Sequence, residues 1–144
     1  MKEGVDFGLL SEAGLPCIGD PGNIIVGWSH KNNVKVIPIN GPSSFVLALI
    51  ASGFNGQQFS FNGYLAIEKD KKKKEIQQLE RLIEKTGFTQ IFMETKFLNP
   101  NTKLCIASNI NDPENEFIQT KNINDWKKNK PELHKIPTVF LIGK

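Results

Sequence analysis

Residues 34–53 read Val34-Lys35-Val36-Ile37-Pro38-Ile39-Asn40-Gly41-Pro42-Ser43-Ser44-Phe45-Val46-Leu47-Ala48-Leu49-Ile50-Ala51-Ser52-Gly53, and three kinds of local physics succeed one another in them. The β-branched run 34–39 predicts a strand. Asn40, Gly41, Pro42 and the two serines predict a turn, since each disfavours continued regular structure. Residues 45–51 are apolar on every side, which predicts a helix buried between layers. Ser43 or Ser44 serves as its N-cap and Gly53 as its left-handed terminator.

Working outward, Phe7-Gly8-Leu9-Leu10 predicts an earlier strand, followed by a turn-rich loop over 11–22. Ile24, Ile25, Val26 and Trp28 supply a helical apolar face that stops at His30-Lys31-Asn32-Asn33. Strand, loop, helix and strand together make one βαβ unit. Downstream, 56–58 reads as a linker and 59–65 as a half-buried strand. Residues 69–85 predict an amphipathic helix with Ile76, Leu79, Leu82 and Ile83 on one face. Strands follow at 89–94, 103–107, 117–120 and 138–142, with a short helix near Asp125 and Trp126. No internal repeat is visible. The fold class is α/β, with residues 1–55 as an N-terminal subdomain and 56–144 as a C-terminal one.

One spacing is awkward. Residues 96–102, which include Pro100, are too few for a crossover between parallel neighbours, which takes a dozen or more. Either the two strands they join pair antiparallel, or a helix usual in a βαβ arrangement is lacking.

Composition narrows the function classes. The chain has 144 residues, 39% of them hydrophobic, which is too apolar for a disordered tail. No apolar run approaches the ~20 residues of a membrane helix. The N-terminus has no signal-peptide core, and the cytoplasm is the expected compartment. Cys17 and Cys105 cannot build a disulfide framework and have no metal-type neighbours, so no metal site is expected. The net charge is +3, and every basic residue except Arg81 is Lys. With Asn and Ile also abundant, that balance reads as coding bias; Arg is the usual reader of phosphates and base edges.

The two turns, 11–22 and 40–44, lie where α/β folds bind ligands, after strands and before helices. Gly14, Gly19, Gly22 and Gly41 allow close backbone approach, while Pro16, Pro21 and Pro42 stiffen the loops. Backbone rims of this kind suit an amino acid or nucleoside moiety; simple punctuation is the plainer alternative for either turn alone.

The segments GLLSEAGLPCIGDPG (8–22), VKVIPINGPSSFVLALIASG (34–53) and FSFNGYL (59–65), in this order and at these separations, resemble the tetrapyrrole methylase family of S-adenosylmethionine-dependent methyltransferases. The similarity is greatest to the branch that methylates a cytidine ribose 2′-hydroxyl in 16S ribosomal RNA. The resemblance implies two α/β subdomains with S-adenosyl-L-methionine between them, a ribosomal RNA substrate, no membrane partner, and a homodimer. It implies that Glu12, Ala13, Gly14, Leu15, Pro16 and Ile18 line the cofactor. Gly41, Pro42, Ser43 and Ser44 lie by its methionine or ribose, and Met93 and Ala107 wall its adenine. The family also has an N-terminal strand with a GxGN-type loop, and a helix carrying Pro-x-Arg after the strand ending at Glu94. Neither is present here, so the first subdomain is expected to be incomplete and the chain shortened or a fragment. Asn40 and Ala66 stand where proline is usual.

Glu94 is the candidate acceptor for a ribose hydroxyl proton; an ion pair with lysine is its alternative. The lysines at 69 and 71–74 form a solvated helix face or an RNA backbone grip. Phe61 and Tyr64 alone do not imply base stacking. Cys17 reads as packing, Glu12 and Asp20 as turn or cap residues, and His30 and His134 as surface groups. Methyl transfer from a sulfonium needs alignment and water exclusion more than acid–base groups. The alternatives to rRNA methylation are methylation of a tetrapyrrole or other small substrate, and a non-catalytic remnant.

Overall fold

The structure is a computed structural model describing residues 4–12, 14–93, 99–133 and 136–144. The chain forms two compact units, Met1–Ser43 and Ser44–Lys144.

In the N-terminal unit the regular element is helix α1 (Asn23–Lys31). It opens after Asp20, whose Oδ1 accepts from the Gly22 N–H at 3.0 Å and the Cys17 N–H at 3.4 Å. It closes at Asn32 and at Asn33, which adopts φ 53° as a left-handed terminator. Residues 7–10 and 34–39, expected as strands, form none. A strand is held by its neighbour's backbone groups, and no partner lies among the described residues of this unit. The βαβ unit expected here is therefore corrected to a helix between irregular segments.

The C-terminal unit is an α/β/α sandwich. Its elements are α2 (Ser44–Ser52), β1 (Phe59–Tyr64), α3 (Lys69–Thr86), β2 (Thr89–Met93), β3 (Lys103–Ser108), β4 (Phe117–Asn122), α4 (Ile123–Lys128) and β5 (Thr138–Gly143). The sheet order is β1-β2-β5-β3-β4. β1 and β2 are parallel and joined by α3, so the true βαβ unit lies here. β5 runs antiparallel to both β2 and β3 and separates them.

That insertion resolves the awkward spacing. β2 and β3 are parallel to each other but are not neighbours, so the antiparallel alternative fails, and among the described residues no helix stands between them, as the second alternative expects. The nine residues between Met93 and Lys103 reach about 30 Å when extended, against about 17 Å for a five-residue strand. No long crossover is required.

The central strands alternate between two cores, as a period of two demands. Phe92, Leu104, Ile106, Phe140 and Ile142 face α3, which contributes Ile76, Leu79 and Ile83. Trp126 of α4 joins that side and donates its indole N–H to the Leu104 carbonyl at 3.0 Å. Ile91, Cys105, Ala107, Val139 and Leu141 face Ala48 and Leu49 of α2. α2 thus packs within the C-terminal unit. Within the C-terminal unit one side of α2 is covered, whereas burial all round was expected: Ile50, on the side turned away from the sheet, is 73% exposed. Leu82 of α3 is also exposed, flanking the buried stripe. Gly87 ends α3 at φ 73°, its N–H bonded to the Ile83 carbonyl at 2.9 Å.

Candidate functional site

β1, β2 and β3 point the same way, so Tyr64, Met93 and Ser108 end at one edge of the sheet, where β5 begins at Thr138. Open α/β sheets bind ligands at this C-terminal edge. A cavity of about 650 Å³ occupies it. Met93, Ala107 and Val139 line its apolar side, and Ser44, Tyr64, Lys72 and Asn109 supply polar groups. Ser44 opens α2, whose first-turn N–H groups have no acceptor within the helix. Among the described lining residues Lys72 is the one charged side chain. The arrangement offers a flat apolar wall, hydrogen-bonding groups at its margin and one cation.

Three residues assigned to a cofactor by resemblance, Ser44, Met93 and Ala107, come together on this cavity although 63 positions of sequence separate the first from the last. Lys72 also lines it, while Lys69, Lys71, Lys73 and Lys74 are exposed and Lys71 pairs with Glu68 at 2.7 Å. The run is therefore divided: a mostly solvated face with one lysine turned to the cavity.

Within the N-terminal unit the two turns also meet. A Cβ on Gly41 would stand 2.9 Å from Leu15 Cδ2, so alanine at 41 would displace Leu15. Gly14 adopts φ 74° and its carbonyl accepts from the Ser11 hydroxyl at 2.8 Å. Leu15 and Pro16 are half-buried, while Glu12, Ile18 and Pro42 are exposed and Ser43 is half-buried. Ala13 and Glu94 lie outside the described residues, as does His134. Asp20 holds its turn, as the sequence suggests, and His30 is exposed on α1.

Sequence reasoning missed Lys72, Ser108, Asn109 and Thr138 as lining residues, and Tyr64 as well. Asn109 carries a local signal, being an asparagine at φ 47° directly after β3. Cys105 is fully buried between β4 and β5, and burial pushes its thiol above the ordinary range, opposed by a hydrogen bond with Thr120. It packs the core. A second cleft of about 470 Å³ lies at the opposite edge of the sheet, by Lys103 and Lys121. Among the described residues no acidic, histidine or cysteine cluster could hold a metal ion, and no helix is long and apolar enough to cross a membrane.

No family model matches the chain. Ribosomal RNA small subunit methyltransferase I of Bacillus subtilis (strain 168) is 38% identical over 114 residues, which is 79% of this chain and 38% of that protein. The protein of the same name from Thermotoga maritima is 31% identical over 158 residues, covering 100% of this chain and 68% of that protein. The chain belongs to this family. The Thermotoga match is longer than the chain's 144 residues, so that relative carries residues inside the matched stretch which this chain lacks. Against the Mesomycoplasma conjunctivae relative, 38% identical, the match covers 56% of this chain and 33% of that protein. The chain thus spans roughly a third of the first relatives' length.

Solved structures agree on the fold. The methyltransferase CobJ superposes at a TM-score of 0.59 with 16% identity, covering 91% of this chain and 62% of that one. Uroporphyrin-III C-methyl transferase from Thermus thermophilus, complexed with S-adenyl homocysteine, gives 0.54 with 13% identity, covering 91% and 63%. The fold is the tetrapyrrole methylase fold.

Proposed function

We propose that the chain is part of an S-adenosylmethionine-dependent methyltransferase that modifies a ribose 2′-hydroxyl of small-subunit ribosomal RNA. The observation that carries this reading is the cavity at the C-terminal edge of the sheet, lined by Ser44, Met93 and Ala107. Its volume of about 650 Å³ falls in the range that encloses small-molecule cofactors. The apolar wall suits the adenine plane, and the opening of α2 with Ser44 and Asn109 suits hydroxyls and a carboxylate.

The bound cofactor supplies an electrophilic methyl group on a sulfonium. Ala107 and Val139 exclude water from one side of the site, and Met93 fits the edge of a flat ring. Transfer of that methyl to a ribose oxygen would require the hydroxyl proton to leave. Glu94, next to Met93 in sequence, is the proposed acceptor. Glu12, Ala13, Gly14, Leu15, Pro16, Ile18, Gly41, Pro42 and Ser43 are proposed to complete the cofactor site. Residues 1–55 are read as the remainder of an N-terminal subdomain and 56–144 as the C-terminal one, in a cytoplasmic homodimer. Methylation of a tetrapyrrole is the weaker reading, because the tetrapyrrole enzyme is 13% identical where the rRNA relatives reach 31% and 38%.

The test is transfer of tritiated methyl from S-adenosylmethionine to unmethylated 30S subunits, mapped by resistance of the product to alkaline cleavage. The expected result is label in 16S RNA at one ribose. Absence of label with a chain that is folded and binds the cofactor overturns the activity and leaves the remnant alternative.

A further inference from the structure

β1 and β2 pair through Phe61↔Ile91 and then Tyr64↔Met93, so Asn62 and Gly63 together oppose a single residue of β2. Side chains alternate faces along a strand, and one extra residue reverses the parity beyond it. Without the bulge Tyr64 would lie opposite Phe61, on the α3 side. With it, Tyr64 joins Phe61, Ile91 and Met93 on the α2 side, where Phe61 stacks on Phe45 at 4.6 Å.

The bulge is built and held. Gly63 adopts φ 63°, a conformation that side chains resist, with open space where a Cβ would project. The Asn62 amide reaches across and donates to the Ile91 carbonyl at 3.3 Å and to Gln90 Oε1 at 3.2 Å. Beyond it, the Ala66 N–H donates to Glu75 Oε2 at 2.9 Å, tying the loop to α3.

The result is an aromatic ring on the cavity wall that serves no core. Tyr64 is 71% exposed, whereas Ala107 on the same cavity is 1% exposed. One is the mouth and the other the floor. A cofactor ring gains most from the floor; a ring at the mouth faces what arrives from solvent. Building on the rRNA reading above, we propose that Tyr64 stacks on a nucleobase of the RNA substrate at the mouth of the cavity. Lys72 of α3, which also lines the cavity, adds attraction for the adjoining phosphate.

The experiment compares the unaltered chain with Tyr64→Ala, Tyr64→Leu and Tyr64→Phe. Affinity for a short fluorescein-labelled single-stranded RNA is read by anisotropy at saturating S-adenosylhomocysteine, and affinity for S-adenosylhomocysteine by calorimetry. Stacking predicts a loss of RNA affinity of about tenfold for Ala and Leu, none for Phe, and no change in cofactor affinity. The role of Tyr64 is overturned if Ala binds RNA as tightly as tyrosine, if Leu restores binding, or if Ala weakens the cofactor instead. It is also overturned if the unaltered chain binds S-adenosylhomocysteine but no RNA. Failure of the unaltered chain to bind S-adenosylhomocysteine removes the cofactor reading, and the RNA comparison of the four proteins still decides for or against Tyr64.

Discussion

Helices α1 and α3 both carry apolar residues at helical spacing, yet they end in opposite states. Ile24, Ile25 and Trp28 of α1 are exposed, while Ile76, Leu79 and Ile83 of α3 are buried. The helices differ in what stands across from them. α3 connects two adjacent parallel strands and lies on the sheet they help to form; α1 lies between segments that pair with nothing among the described residues. Burying an Ile or Leu side chain is worth about 1.5–3 kcal/mol, so stability concentrates in the C-terminal unit. The N-terminal unit holds the turns most like the methyltransferase family and contributes little core of its own.

The two cysteines report on this contrast, one in each unit. Cys17 is partly exposed in a turn and Cys105 is fully buried in β3. Iodoacetamide should label Cys105 about a thousandfold more slowly than Cys17, because reaching it requires opening the core. Comparable rates, followed by mass spectrometry, would erase the distinction.

Core truncation sharpens it further. Phe92 is fully buried, and Phe92→Ala should cost about 3–5 kcal/mol in urea unfolding. Ile24→Ala should change stability by less than about 0.5 kcal/mol. Equal losses would mean that the N-terminal unit has a core of its own.

Glycines give a smaller contrast of opposite sign. A Cβ on Gly143 would stand 2.7 Å from Phe54 Cγ, and Gly143→Ala should destabilise by about 1–3 kcal/mol. A Cβ on Gly27, inside α1, meets nothing within 4 Å, and Gly27→Ala should stabilise that helix by about 0.5–1 kcal/mol. Thermal melts followed by circular dichroism separate the two.

The smallest effect is alkaline. Burial raises the Cys105 thiol's pKa, so the unfolded chain loses that proton first. The contribution is full below the unfolded value, near 8.5, and is lost as pH rises through the folded value. Cys105→Ala should flatten the decline of stability above that point. An unchanged slope would show that other groups control it.

What the sequence could disclose follows the same division. The bounds of α3 were readable to within a residue because helical periodicity is a local signal. So was the strand character of β3 and β5. The insertion of β5 between β2 and β3 was not, since no residue near Met93 or Lys103 encodes which strand will lie between them. Residues 34–39 have strand composition, but composition does not say whether a partner exists. Ser44, Met93 and Ala107 were found through resemblance. Tyr64 was not placed on the cavity, because the alternating pattern of 59–65 does not disclose the extra residue at Asn62 and Gly63.

The account rests on the cavity at the C-terminal edge of the C-terminal sheet, and calorimetric titration with S-adenosylhomocysteine tests it most directly. Ser44 is exposed at the start of α2 and lines the cavity, so Ser44→Trp can obstruct it without disturbing the core. The predicted result is saturable binding by the unaltered chain and none by Ser44→Trp, with the two proteins melting at the same temperature. Equal binding by both, or no binding by a folded unaltered chain, would contradict it.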